Sequence, residues 1–213
     1  MVKKGLPKNK TEAESFIQEH QNWKAEIDAR GERIDSVKSF GQNLVKSGHS
    51  DSAEIKEALH KLKDAKTKLA QAWEDRKKTL DQALKLQIFL GYADQTESWI
   101  SNREAFLVNE DLGGSLSEVE ALQRKHALFE NSLEAQMEQV AEVDRCAQHL
   151  IQAQHYDSDN IKKKIKAILL RKDKVLEMSK TRRKALEESL QLQKFLEGSY
   201  EVSSWLNEKN SGC

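Results

Sequence analysis

Proline is almost absent: the one proline among 213 residues, Pro7, lies within the first ten. Beyond it nothing removes a backbone amide from a helix. Aromatic residues make up only 6%. The two cysteines, Cys146 and Cys213, share no spacing motif, which fits free thiols in a reducing compartment better than a disulfide framework. Net charge is lacking as well. Lysine plus arginine number 35, as do aspartate plus glutamate, so no net field draws the chain to nucleic acid or to an acidic membrane surface. There is no signal-peptide pattern and no run of 18 apolar residues. This predicts a cytoplasmic protein without direct membrane insertion.

What the chain does have is charge, at 33% of residues, and repetition at a spacing of 106. Trp99 recurs as Trp205, Phe89 as Phe195, Ile55 as Ile161, His20 as His126 and Arg76 as Arg182. Self-similarity on that scale marks an array of stacked supersecondary modules. Within a period the apolar residues follow alternating steps of three and four, the stripe that one helix turns toward its partners. One stripe reads Phe89, Tyr92, Thr96, Trp99, Arg103, Phe106; a second runs from Val119 through His126, Phe129 and Val140 to Leu150; a third runs from Ile161 through Val175 and Ser179 to Leu186. Three stripes per period predict a three-helix bundle.

The breaks carry stop and start chemistry. Gly113 and Gly114 are expected to cap the first helix of the period at its C-terminus. Ser117 with Glu120, and Thr11 with Glu14 one period earlier, read as capping boxes. Around His155, and around Ser50, Asp51 and Ser52, side-chain acceptors are available for the next helix. No such break separates the third helix from the following first one, because residues 52–90 contain neither Gly nor Pro. The helix is therefore predicted to run on from about 52 to 107, roughly 80 Å at 1.5 Å per residue. It passes through the linker Arg76, Lys77, Lys78, Thr79, Leu80 and Asp81.

The helix line from Leu84 to Trp99-Ile100, the run Glu110-Asp111-Leu112-Gly113, Val119-Glu120-Ala121-Leu122 with Lys125-His126, the loop His155-Tyr156 and the second copy Leu190 to Trp205-Leu206 resemble the spectrins, and most of all an α-spectrin. The match covers about residues 11–209. It implies an all-α fold of tandem left-handed three-helix bundles joined by a continuous helix. In the family's naming the helices are A, B and C. On that scheme residues 1–10 form a flexible segment, 11–78 are B and C of a first repeat, 79–184 a complete second repeat, 185–209 helix A of a following one, and 210–213 a tail. The expected core includes Trp23, Trp73, Phe89, Trp99, His126, Phe129, Phe195 and Trp205, and truncating Trp99 or Trp205 to alanine is expected to cost about 3 to 5 kcal/mol. Ser179 stands where the first copy has Trp73, which predicts looser packing there.

The remaining polar groups point to no chemistry. No two of the six histidines stand three or four residues apart, so a buried, hydrogen-bonded histidine outweighs a metal ligand. The runs Lys162-Lys163-Lys164 and Arg182-Arg183-Lys184 are flanked by acids and read as solvated helix faces. Cys146 reads as a small packed side chain and Cys213 as the more reactive thiol. No phosphate loop, nucleophile elbow or carboxylate cleft is present, so neither an enzyme nor a cofactor is expected. Two functions remain. One is an elastic spacer in a rod of the actin-associated membrane skeleton, at the cell cortex. The other is a docking module. The resemblance implies other spectrin chains and cytoskeletal proteins as partners, with actin contacted only through other parts of a parent molecule. The unpaired terminal stripes, Phe16, Trp23, Ile27, Ile34, Ile55, Leu59, Leu62 and Leu69 at one end and Leu190, Phe195 and Trp205 at the other, predict a homodimer of antiparallel chains that closes both ends.

Overall fold

The computed structural model describes residues 5–211 and, among them, only helices and turns. The helices are α1 (Lys10–Lys46), α2 (Ser52–Leu107), α3 (Leu116–Gln152) and α4 (Ser158–Ser211). α2 crosses the whole 76–81 linker without interruption, as the missing Gly and Pro predict. Two compact units divide the chain, Met1–Ile88 and Phe89–Cys213. The first pairs α1 with residues 52–88 of α2; the second gathers residues 89–107 of α2 with α3 and α4.

Helix starts lie two residues earlier than expected. Asn9 and Ser115, one period apart, are the N-caps; their side chains accept from the amides of Glu12 and Glu118. Those two glutamates in turn accept from the amides of Lys8 at 2.6 Å and Gly114 at 2.8 Å. Such reciprocal boxes satisfy amides the helix itself cannot. Thr11–Glu14 and Ser117–Glu120 have the same pattern but fall inside the helices.

Gly113 and Gly114 also differ from expectation. α2 ends at Leu107, so the glycines lie in the following loop and do not cap it. Gly113 has φ +81, and a Cβ there would lie 2.8 Å from the amide nitrogen of Val119. Its job is to let the loop pass against the start of α3. α1 and α3 both end in Schellman turns, in which the amides of His49 and His155 reach back to the carbonyls of Leu44 and Leu150. His49 and His155 then accept the amides of Asp51 and Asp157 on Nδ1, at 3.2 and 3.0 Å.

The segment before α1 is not loose over its described part. Pro7 is buried, its carbonyl accepts from Gln87 at 3.4 Å, and the Gly5 carbonyl accepts from Arg76 at 3.4 Å. Residues 1–4 of the expected flexible segment, and Gly212 and Cys213 of the expected tail, lie outside the described residues.

The second unit holds a continuous core in which Phe89, Ile100, Val119, Phe129, Val140 and Ile168 are all buried. Each such side chain is worth about 1.5 to 3 kcal/mol when removed from water. The first unit has little of this: α1 buries only Ala13, His20 and Gly41.

Candidate functional site: the linker and the helix-facing seams

Linker side chains are held partly by the segment before α1 and partly within α2 itself. Arg76 donates to the Gly5 carbonyl, Lys77 sits 5.6 Å from the centre of the Trp73 ring, and Thr79 bonds back to the Asp75 carbonyl. Leu80 is buried, while Lys77, Lys78 and Asp81 lie at the surface. One period on, Arg182 donates to the Asp111 carbonyl at 2.9 Å and Ser189 to that of Leu112 at 3.1 Å. In each unit an arginine therefore pins the approach to a helix onto the long helix beside it.

The histidine seam repeats as well. His20 Nε2 lies 3.0 Å from the Trp73 carbonyl, and the two rings stack at 4.7 Å. Trp73 returns a longer bond, 3.4 Å, to the His20 carbonyl. In the second unit buried His126 Nε2 lies 3.0 Å from the Ser179 carbonyl. Ser179 is not a loose point: it is buried, and its hydroxyl donates to Glu130 at 3.2 Å. The missing indole is offset by Phe129, which stacks on Phe106 at 4.4 Å and lies 5.7 Å from His126.

Two interhelical ion pairs escaped the sequence reading. Arg171 grips Glu104 with two bonds, 3.2 and 2.8 Å, and also reaches Ser101. Lys164 lies 3.0 Å from Glu97 and 3.1 Å from Asp94. The Arg171 hydrogen bond holds the Glu104 carboxyl below its ordinary pKa. Burial disfavours the Lys164 charge, but its bonds to Glu97 and Asp94 outweigh that and raise its pKa. The signal was present as acids on one stripe's rim and bases on another's, but it needed the register between helices.

The aromatic positions expected in the core divide. Phe89, His126 and Phe129 are buried; Trp73 and Trp99 are half-buried. Trp23, Phe195 and Trp205 are instead exposed, because no helix among the described residues covers those stripes. Sequence gives a residue its stripe but not its cover.

No group of three or more His, Cys, Asp or Glu among the described residues is arranged to hold a metal ion, and no described helix is long and apolar enough to cross a membrane. Burial raises the Cys146 pKa and so suppresses its thiolate. The basic runs are paired: Lys164 as above, Arg183 with Glu187 at 4.0 Å and Lys184 with Glu188 at 3.8 Å. The Lys164 bonds join α4 to α2, whereas the Arg183 and Lys184 pairs run along the surface of α4 itself.

The profile of the family described as Spectrin repeat matches residues 2–82 and 84–188. The chain is 37% identical over 204 residues to a human spectrin beta chain, non-erythrocytic 5, covering 96% of this chain and 6% of that one. It is equally identical, over the same length, to the mouse spectrin alpha chain, erythrocytic 1, of which it spans 8%. A Drosophila melanogaster spectrin beta chain is 30% identical over 207 residues, 95% of this chain and 9% of that one. Equal identity to an α and a β chain gives no preference to the α type.

Proposed function

The chain belongs to the spectrin repeat family, and from that premise we propose that it is an elastic spacer within a spectrin-type rod of the actin-associated membrane skeleton. The observation that carries the reading is the unbroken α2, which passes through residues 76–81 with Leu80 buried. A helix shared by consecutive bundles transmits load along the chain without a slack joint, and stretch is absorbed by melting or unfolding. The chain spans less than a tenth of the length of each relative it matches, so the rest of this reading is carried by analogy with them. It is cytoplasmic, at the cell cortex, with other spectrin chains and cytoskeletal proteins as partners. Actin is reached through other parts of a parent molecule. It performs no catalysis, in keeping with side chains that pair helix to helix.

Pulling single molecules of the full chain tests this. A spacer gives low-force unfolding steps that recover on relaxation, with steps that couple the two units. Brittle, irreversible rupture would contradict the reading.

The second reading, a protein-docking module, is favoured by the open apolar side chains of Trp23, Val37, Phe40 and Leu69 and those along the end of α4.

A further inference from the structure

Within the second unit α4 turns three faces outward from its axis, and two of them are taken. Ile161, Ile165, Ile168 and Val175 point into the core. Lys164 and Arg171 hold α2. The third face carries Asp159, Lys166, Asp173 and Lys180, spaced by seven and therefore in one line along the helix. Their charges alternate in sign, and all four residues are exposed. Beside the middle of this line lie Leu169, half-buried, and Leu170, 60% exposed. With Ile151 of α3 and Ile165 these leucines line a hollow of about 350 Å³, and Lys166 and Asp173 stand at its edge.

The repeat supplies its own control. One period earlier the same four positions hold Ala53, His60, Thr67 and Glu74, and the two leucines are replaced by Lys63 and Asp64. A helix in this place in the bundle therefore does not require the alternating line or the apolar centre. Both belong to the second unit and not to the first.

We propose that this face of α4 docks on the same face of α4 in a second copy of this chain, the two helices antiparallel about a two-fold axis between residues 169 and 170. Charge identifies the occupant. The axis sets Asp159 against Lys180 of the second copy and Lys166 against its Asp173, and each pair recurs on the other side of the axis. Glu177 comes within reach of Lys162 and Lys163 of the second copy. Leu169 and Leu170 of both copies close the centre, over the two hollows. A parallel pair in register would set like charge against like along the whole line. An antiparallel pair centred one heptad further on would bring Glu177 against Glu177 in place of leucine against leucine. Charge and apolar surface together select one direction and one register.

The ion pairs that α4 makes along this face are local and exposed: Lys162 with Asp159 at 4.0 Å, Lys172 with Asp173 at 2.9 Å and Lys180 with Glu177 at 3.0 Å. Pairs of that kind contribute little in water, so exchanging them for partners across the contact costs little. The contact is isologous and closes at two copies. It spans about 30 Å of helix at 1.5 Å per residue, and one helix pair of that length buries less than the roughly 1,000 Å² of a stable interface. It is weak between separate chains and gains weight where chains are held side by side at high effective concentration.

Sedimentation equilibrium of the full chain, from micromolar into the millimolar range, tests this. The native chain should dimerise toward the upper end of that range, and the dimer should weaken about threefold or more from low to high salt. Asp159→Lys with Asp173→Lys makes the line wholly positive; Lys166→Glu with Lys180→Glu makes it wholly negative. Each double variant should keep its helicity by circular dichroism, since all four residues are exposed, and should self-associate at least about tenfold more weakly than the native chain. Mixed in equal amounts, the two should form a one-to-one pair at least as tight as the native dimer, because every charge on the line then faces its opposite. A native chain monomeric throughout the range, self-association that neither pair of substitutions weakens, or a mixture that fails to pair would each overturn the proposal. The spacer reading stands apart from all of these results, because the pulling experiment takes one chain at a time.

Discussion

Gly48 and Gln154 occupy the same place in the same Schellman turn, one period apart, and both have positive φ, +76 and +53. For glycine the left-handed geometry carries no steric penalty; for glutamine the Cβ crowds the carbonyl that follows. Gln154→Gly should therefore stabilise the second unit by about 1 kcal/mol, and Gly48→Gln should cost the first unit a similar amount. Urea midpoints of the two variants against the native chain check this.

Two other glycines separate in sign. Gly91 lies within α2 with open space at its Cβ, so Gly91→Ala should stabilise by about 1 kcal/mol through helix propensity. Gly113→Ala combines positive φ with a contact on the Val119 amide that cannot give way, and should cost about 2 kcal/mol or more. Thermal denaturation followed by circular dichroism should show midpoints moving in opposite directions.

Leu80→Pro should split the unfolding curve. It removes a helical amide in the linker, at a cost of about 3 kcal/mol or more, and replaces a buried leucine. Two resolved calorimetric transitions are expected in place of one. An unchanged single transition would mean that the units do not communicate through α2.

The Glu104–Arg171 pair gives a pH dependence with a defined sign. Because the folded-state pKa of Glu104 lies below the ordinary value, its contribution is fully present above that ordinary value and is lost as pH falls through the folded one. At roughly a third exposure the pair is worth about 0.5 to 1 kcal/mol. Arg171→Gln should lower stability by that amount at neutral pH and by nearly nothing in strong acid, measured by urea titration at each pH.

The two family tryptophans should no longer behave alike. Trp99→Ala, in a half-buried position, should cost about 3 kcal/mol. Trp205→Ala, 56% exposed, should stay within about 0.5 kcal/mol in dilute solution. The comparison is made by chemical denaturation at a concentration too low for association.

The long helices were legible because their signals are local: three stripes, and a stretch of residues 52–90 that nothing interrupts. Cap positions were not. Ser115–Glu118 and Ser117–Glu120 both satisfy the same four-residue pattern, and only the closure of the loop at Gly113 on Val119 selects the earlier one. Burial of Phe195 and Trp205 was misjudged for another reason. A stripe encodes the capacity to be covered, and covering is a tertiary event that the residues themselves do not record. Arg171–Glu104 needed a register that composition does not contain.

Residue 83, where one matched segment gives way to the next, falls in the middle of α2. A piece cut there would lose Ala83 and Leu86, both buried, together with the bond from Gln87 to the Pro7 carbonyl. Proteases meet no exposed backbone at that point and should nick the chain at 108–114, beyond the last turn of α2. Because residues 89–107 belong with α3 and α4, such a nick falls inside the second unit, and fragments for expression should keep α2 whole together with the helices that follow it.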